Sequence, residues 1–192
     1  MSILLVLFGL LLQTAVPAAP PKPSPGNPVV VIETSAGTIT AELFKDRAPV
    51  SVENFLQYAR DGHYDGTSWH RVVSGYVIQG GGYTADMAER STRPPIQNEA
   101  TNRLSNRRGT LAMARTRQAR SATSQFYINL ADNPSLDFRG YAPDEFGYAV
   151  FGRVLEGMEV VDRIGAVKVG PRGGHDTVPL TPVLITSVKE KK

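Results

Sequence analysis

Short runs that alternate apolar and polar residues recur along most of the chain and predict an architecture built mainly from β-strands. The first run, VVVIETSAGTITAELF, predicts a hairpin that turns at residues 35–37. A second strand pair is predicted within WHRVVSGYVIQGGGY, from Trp69 to Tyr83, around a Ser-Gly turn. Later strands are predicted in GTLAMAR, SQFYINL, YAVFGRV and VPLTPVLITSVKE.

Two segments have a helical period instead. Between Pro49 and Gly62, the apolar residues Val52, Phe55, Leu56 and Ala59 share one face of a predicted helix. The segment EGMEVVDRIGAV predicts a shorter second helix, whose inward residues would be Met158, Val161 and Ile164. Because the strands do not alternate with helices, an antiparallel barrel capped by two helices is favoured over a parallel sheet.

The first 28 residues depart from this pattern. The apolar run from Ile3 to Leu12 is too short to span a bilayer, and Val16 and Ala18 suit a signal-peptidase site. We therefore expect a signal peptide over 1–18, a Pro-rich linker over 19–28 and one folded domain over 29–190. The product would be periplasmic or secreted after cleavage near Ala18, without a stable membrane anchor. The alternative, an uncleaved anchor, stays open because no Lys or Arg precedes the apolar run.

Composition excludes several kinds of chemistry. The chain has no cysteine, which excludes disulfides, thiol catalysis and cysteine-ligated metal. Its three histidines, His63, His70 and His175, lack metal-ligand spacing, and no serine-nucleophile motif occurs. The net charge of +3 lacks the dense basic stripe of nucleic-acid binders, so no nucleic acid is expected as a partner. An enzyme with this inventory would act by binding and polarisation, without a cofactor or metal.

Four separated blocks resemble the cyclophilin-type peptidyl-prolyl isomerases in order and spacing. They are WHRVVSGYVIQGGGY, NEATNRLSNRRGTLAMART, SATSQFYINLADNPSLD and FGYAVFGRVLEGMEVVDRI. The similarity extends from about Val29 to Val188 and is greatest to the secreted bacterial branch. The resemblance implies an all-β fold with helical caps, in which a closed antiparallel eight-stranded β-barrel is flanked by two α-helices. It also implies a monomeric peptidyl-prolyl cis-trans isomerase (rotamase) that acts on proline-containing polypeptides and assists the folding of exported proteins.

The resemblance also implies roles for individual residues. The family's catalytic arginine falls on Arg71, and Gln79 is the second catalytic residue. The residues expected to hold the proline ring are Tyr76, Met113, Tyr127 and Leu136. The other expected substrate contacts are Ala114, Arg115, Gln125, Phe126 and Tyr148. Ser135 replaces the tryptophan of cyclosporin-sensitive members, so weak cyclosporin binding is expected.

An arginine suits this reaction because rotation about X–Pro forms and breaks no covalent bond. The barrier of roughly 18–20 kcal/mol comes from amide resonance, and a fixed cationic donor near the prolyl nitrogen would favour the twisted amide. Alternatives remain at this point. Arg71 taken alone fits a structural ion pair, and Met113 and Phe126 fit core positions. The whole chain also fits a proline-binding module without turnover, or a barrel that binds a small ligand.

Overall fold

The computed structural model describes residues 22–191 and has a mainly antiparallel β architecture with two helices. The predicted signal peptide and the first three residues of the predicted linker lie outside the described residues. The helices are α1 (Pro49–Arg60) and α2 (Met158–Gly165). The strands are β1 (Val29–Thr34), β2 (Gly37–Leu43), β3 (Thr67–Ser68), β4 (Arg71–Val73), β5 (Val77–Gly80), β6 (Thr110–Met113), β7 (Phe126–Asn129), β8 (Val150–Glu156), β9 (Val169–Arg172), β10 (His175–Pro179) and β11 (Leu184–Glu190).

Nine of the strands form one curled antiparallel sheet in the order β3-β11-β1-β2-β8-β6-β7-β5-β4. The all-β class with two helices is therefore confirmed, but the prediction of a closed, eight-stranded barrel is wrong in detail. The strand predicted to begin at Trp69 begins at Arg71, as β4. The preceding strand, β3, ends at Ser68, and the chain bends between the two at Trp69–His70. The two pieces lie at opposite ends of the hydrogen-bonded order, so the sheet is a half-barrel whose edges are joined by the chain itself.

Helix α1 packs its apolar face into the core of the curled sheet and contacts β11 and β8, and its apolar period predicts this buried face. Its residues Val52, Phe55 and Leu56 are buried in the core. Pro49 occupies the start of the helix, where a missing N–H costs nothing. The next two backbone N–H groups donate to the carboxylate of Glu99, at 3.0 and 2.7 Å, so a distant acidic side chain caps this end.

The core inside the curl is closely packed around aromatic rings. The ring of Phe126 packs edge-on against the rings of Phe55, Tyr64 and Trp69, with centroids 5.2 to 5.5 Å apart. The buried Ile164 and Val161 of α2 belong to the same core. Such edge-to-face contacts add about 0.5–1.5 kcal/mol per pair to the effect of burial.

The chain beyond α2 differs from the predicted single closing strand. Strands β9 and β10 form a separate hairpin that packs against β4, and only β11 joins the main sheet. Pro179 ends β10, and Pro182 lies in the gap before β11, which fits the limits that proline places on sheets. At the other end, Ser24 and Asn27 donate to the buried carboxylate of Glu42, so this part of the predicted linker contacts the domain. No helix within residues 22–191 is long and apolar enough to cross a bilayer.

Candidate active site

The candidate site lies on the outer face of four neighbouring strands, β4, β5, β7 and β6. Their register places Arg71 opposite Gln79, Gln79 opposite Tyr127, and Tyr127 opposite Ala112. Directly paired residues in antiparallel strands point to the same side of a sheet. A single row across four strands therefore carries a guanidinium, an amide and a phenol on one face.

A pocket of about 310 Å³ opens on this face. Its lining residues are Arg71, Tyr76, Val77, Gln79, Ala114, Arg115, Tyr127, Leu136 and Tyr148. Eight of these nine residues were predicted from the sequence as catalytic or substrate-binding; the exception is Val77. The pocket combines aromatic and aliphatic side chains with the polar groups of Arg71, Gln79 and Arg115, which suits a small apolar ring carried on a peptide backbone.

The guanidinium of Arg71 is held without being neutralised. Its Nη1 donates to Gln79 Oε1 at 3.2 Å, and Gln79 Nε2 donates to Gln125 Oε1 at 2.9 Å. No carboxylate lies within ion-pairing distance of Arg71 among residues 22–191. The Arg71 side chain therefore keeps its charge available to the pocket, and the structural ion-pair interpretation loses its basis.

Gln125 lies beside the pocket rather than in its wall. The glycine run after β5 permits this position, since a Cβ on Gly82 would come within 2.5 Å of the Gln125 side chain. The close approach of backbone and side chain explains why small residues follow Gln79. Gln125 thus acts on the pocket through its hydrogen bond with Gln79.

The hydroxyl of Tyr127 points away from the pocket into a network of asparagines. It donates to Asn106 Oδ1 at 2.7 Å, and Asn129 Nδ2 donates to the same oxygen at 3.3 Å. Asn133 Nδ2 in turn donates to Asn129 Oδ1 at 2.7 Å. Burial raises the pKa of Tyr127 well above its ordinary value, so the hydroxyl stays protonated and acts as a donor. Only the ring of Tyr127 is left to face the pocket.

The other aromatic walls are half-buried. Tyr148 packs edge-on against Tyr127, with ring centroids 5.8 Å apart. The guanidinium of Arg115 lies 4.6 Å from the centroid of the Tyr148 ring, in cation–π geometry. Tyr76 packs against the same outer apolar cluster as Leu136, and burial raises the pKa of Tyr76.

Two predicted substrate contacts lie elsewhere. Met113 and Phe126 point to the inner face of the sheet and are buried in the main core. The reason is the two-residue period of a strand, which turns each of them away from its neighbours Ala112 and Tyr127. Met113 was expected to hold the proline ring and Phe126 to contact the substrate elsewhere, but neither residue lines the pocket.

Val77 lines the pocket but was missed by the sequence analysis. A usable signal was present, since Val77 and Gln79 are two residues apart on one strand and must share a face. Val77 belongs with Ala112, Tyr127 and Val150 to a small outer apolar cluster, distinct from the main core.

His70, next to Arg71, is a core residue. It is buried against Tyr83 and His175, at ring-centroid distances of 4.6 and 5.5 Å. Neither of its ring nitrogens has a hydrogen-bond partner within residues 22–191. Burial, and then the nearby His175, lower the pKa of His70 to about 4, so it is neutral at physiological pH.

A family model and two related proteins all indicate the same family for this chain. A family model described as "Cyclophilin type peptidyl-prolyl cis-trans isomerase/CLD" matches residues 29–190. A peptidyl-prolyl cis-trans isomerase of Streptomyces antibioticus is 56% identical over 160 residues, which cover 83% of this chain and 96% of that protein. Isomerase B of Escherichia coli is 49% identical over 160 residues, covering 83% and 98%.

A solved structure agrees at the level of the fold. It is a cyclophilin-type isomerase of Cryptosporidium parvum, crystallised in the presence of the dipeptide Ala-Pro. Its TM-score is 0.69 at 24% identity, and the match covers 85% of this chain and 99% of that one.

Proposed function

The chain belongs to the cyclophilin-type peptidyl-prolyl cis-trans isomerase family, and from this premise we propose that Arg71 and Gln79 catalyse the isomerisation in the pocket of β4, β5, β7 and β6. The observation that carries the assignment is the free guanidinium of Arg71, which shares a pocket of about 310 Å³ with the Tyr127 ring. The activity itself follows from the family. The roles of the individual residues are the proposal.

Arg71 acts on the nitrogen of the prolyl amide. When the C–N bond twists, conjugation is lost and a lone pair localises on nitrogen, which then accepts a hydrogen bond that the planar amide cannot accept. A guanidinium donates without losing its proton. Gln79 fixes its orientation through the 3.2 Å hydrogen bond, and Gln125 fixes Gln79 in turn.

The apolar wall holds the proline ring while the bond turns. Tyr76, Val77 and Leu136 provide side-chain carbon, and the Tyr127 ring forms the floor. Burying a ring of this size contributes about 1–2 kcal/mol at ~25 cal/mol per Å² of apolar surface. The Cryptosporidium parvum structure with Ala-Pro supports a prolyl dipeptide unit as the ligand class.

A proline-binding module without turnover is the less favoured reading. Tyrosine at both aromatic positions, Tyr76 and Tyr127, would favour it by adding hydroxyls to an apolar socket. The Tyr127 hydroxyl is instead used by Asn106, so the floor of the pocket is as apolar as a phenylalanine would make it.

The test is the isomerisation rate of an X–Pro peptide. Replacing Arg71→Ala should lower kcat/KM by about 10²–10³, the usual loss for one preorganised donor to a transition state. Arg60→Ala is the matched control, because Arg60 makes surface ion pairs with Glu53 and Glu190 and does not line the pocket. Unchanged activity in Arg71→Ala would refute the mechanism, and loss of activity in both variants would show that the effect is not specific to the pocket.

We also propose that the enzyme is exported and assists the folding of exported proteins. The support is the sequence before Ala18, with its short apolar run and small residues at the expected cleavage site. Cell fractionation and N-terminal sequencing should find a product that starts near Ala19 outside the cytosol. A full-length chain in the cytosolic fraction would contradict export while leaving the isomerase mechanism intact.

A further inference from the structure

One wall of the pocket is continuous with a surface loop that the catalytic scheme does not use. The loop spans residues 137–147, which we call the aromatic loop. It begins after Leu136 and ends before Tyr148, and both of these residues line the pocket. Its two ends are joined by a hydrogen bond from the Tyr148 N–H to the Leu136 carbonyl, at 3.0 Å.

The base of the aromatic loop is held in place by a pocket residue. Arg115 donates from Nε to the carbonyl of Gly147 at 2.8 Å, and from Nη2 to that of Pro143 at 3.2 Å. Gly147 has a φ of +70°, and a Cβ there would come within 2.6 Å of the backbone of Asp137. The loop is therefore closed at its base and tied to the pocket wall.

Three aromatic rings cluster on this fixed base, of which Phe138 and Phe146 are half-buried and Tyr141 is exposed. The Phe138 ring lies 5.3 Å from that of Tyr141 and 5.5 Å from that of Phe146, in edge-to-face geometry. Tyr141 is 80% exposed, the most exposed large apolar residue in the described part of the chain. Arg139, Asp144 and Glu145 are exposed around the cluster, so mixed charges border an apolar centre. An apolar centre with a polar rim is typical of binding surfaces.

Building on the proposed function, we propose that the aromatic loop is a second subsite of the substrate groove. It would bind one large apolar or aromatic side chain of an unfolded polypeptide, within a few residues of the isomerised proline. The continuity of the loop with the pocket at Leu136 and Tyr148 favours this occupant. A chain seated in the pocket extends at about 3.3 Å per residue, so three residues on either side reach about 10 Å.

The size of the surface also argues for a single side chain rather than a second copy of the protein. One aromatic side chain buries roughly 150–250 Å², so it needs only a small apolar patch. A stable protein–protein interface needs about 800 Å² on each partner. Tyr141 belongs to a small group of exposed large apolar residues whose other members, Val50, Val169 and Leu180, lie on other elements or loops.

The experiment measures isomerisation by NMR exchange in blocked alanine peptides that contain one proline. A single phenylalanine is placed, in turn, at each of the three positions before and after the proline. At the position that reaches the aromatic loop, phenylalanine should raise kcat/KM about three- to tenfold over the all-alanine peptide, the range that one aromatic pair supplies. This ratio should fall towards one in Tyr141→Ala and be retained in Tyr141→Phe, which keeps the ring.

Leu180→Ala is the matched control, because Leu180 is also an exposed apolar residue but lies on another segment of the chain. It should keep the wild-type ratio. A ratio that is the same in wild type and Tyr141→Ala at all six positions would overturn the subsite. So would a dimer, detected by sedimentation, that Tyr141→Ala dissociates. Failure of the proposed function is separate, since it would appear as unchanged turnover of the all-alanine peptide in Arg71→Ala.

Discussion

The two faces of strands β4, β5, β7 and β6 are built from adjacent residues yet have opposite characters. The inner face carries Val72, Ile78, Ile128 and Phe126, all buried in the main core. The outer face carries Arg71, Gln79 and Tyr127 in one cross-strand row. Consecutive residues thus lie alternately in the core and at the pocket, because side chains alternate across a strand.

The contrast shows how a small sheet can present a charged group beside an apolar pocket. The inner face supplies rigidity through close packing, and rigidity keeps the Arg71 guanidinium in place. The outer face needs only a minor apolar cluster of its own, formed by Val77, Ala112, Tyr127 and Val150. Substitutions on the two faces should therefore separate stability from activity.

The largest expected effect is on the inner face. Phe126→Ala removes a ring that packs against Phe55, Tyr64 and Trp69, and should lower the free energy of unfolding by about 3–5 kcal/mol. Urea denaturation measures this change. The milder Phe126→Leu should remain folded, with kcat/KM close to that of the wild type. A large loss of kcat/KM in folded Phe126→Leu would show that the two faces are not separable.

The next largest effect is the pH dependence of stability that His70 causes. His70 is buried and directly precedes Arg71, which lines the pocket. The folded pKa of about 4 is below the ordinary value of 6.5, so the folded state binds this proton less readily than the unfolded state. The contribution of neutral His70 to the free energy of unfolding is therefore fully present above pH 6.5, and it is lost as the pH falls towards 4. The loss is on the order of 3 kcal/mol.

The groups that face His70 are Tyr83 and His175, with Arg71 and Gln125 nearby. Urea denaturation between pH 7 and pH 4.5 should show a decline in wild type that is reduced in His70→Leu. An identical decline in both proteins would mean that His70 is not the group responsible.

A smaller effect, on KM, distinguishes Val77, which lines the pocket, from Met113, which was expected to line it. Val77→Ala should raise KM for an X–Pro peptide by up to about tenfold, since each buried methyl group contributes about 0.8 kcal/mol. Met113→Leu should leave KM unchanged, because Met113 lies in the core. If Met113→Leu raised KM more than Val77→Ala, the assignment of the two faces would be incorrect.

The smallest effect is expected from Tyr127→Phe, which removes one hydroxyl and keeps the ring. The Asn106 Oδ1 atom loses a donor but still accepts from Asn129, so the stability cost should be about 1 kcal/mol. KM should be nearly unchanged, as measured beside the unfolding free energy. A clearly lower KM would indicate that the hydroxyl faces the proline socket.

Much of the fold follows from local patterns. The face of α1, formed by Val52, Phe55 and Leu56, was predicted from a helical period, and the β4–β5 pair from β-branched runs around a turn. The β9–β10 hairpin was missed because most of its residues are exposed or half-buried and they include Gly170, Pro171 and Pro179. Such a segment has no apolar alternation, and only packing against β4 selects its structure.

The site was predicted less completely than the fold, for a related reason. In β6, Leu111, Ala112 and Met113 are all buried, so the pattern of apolar residues does not reveal which of them faces the pocket. The register with β7 decides it, by pairing Ala112 with Tyr127 and Met113 with Phe126. The role of the Tyr127 hydroxyl also depends on Asn106, which is 21 residues away and comes close only in the folded chain.

The bend at Trp69–His70 has a mechanical consequence. Strand β4 ends the hydrogen-bonded order, yet it cannot fray independently. Only two residues separate it from β3, which is hydrogen-bonded to β11. Opening of this edge would have to pull Trp69 out of the aromatic core. Amide protons of Arg71–Val73 should accordingly exchange with solvent in concert with those of Thr67–Ser68, as one cooperative unit rather than as a loose margin.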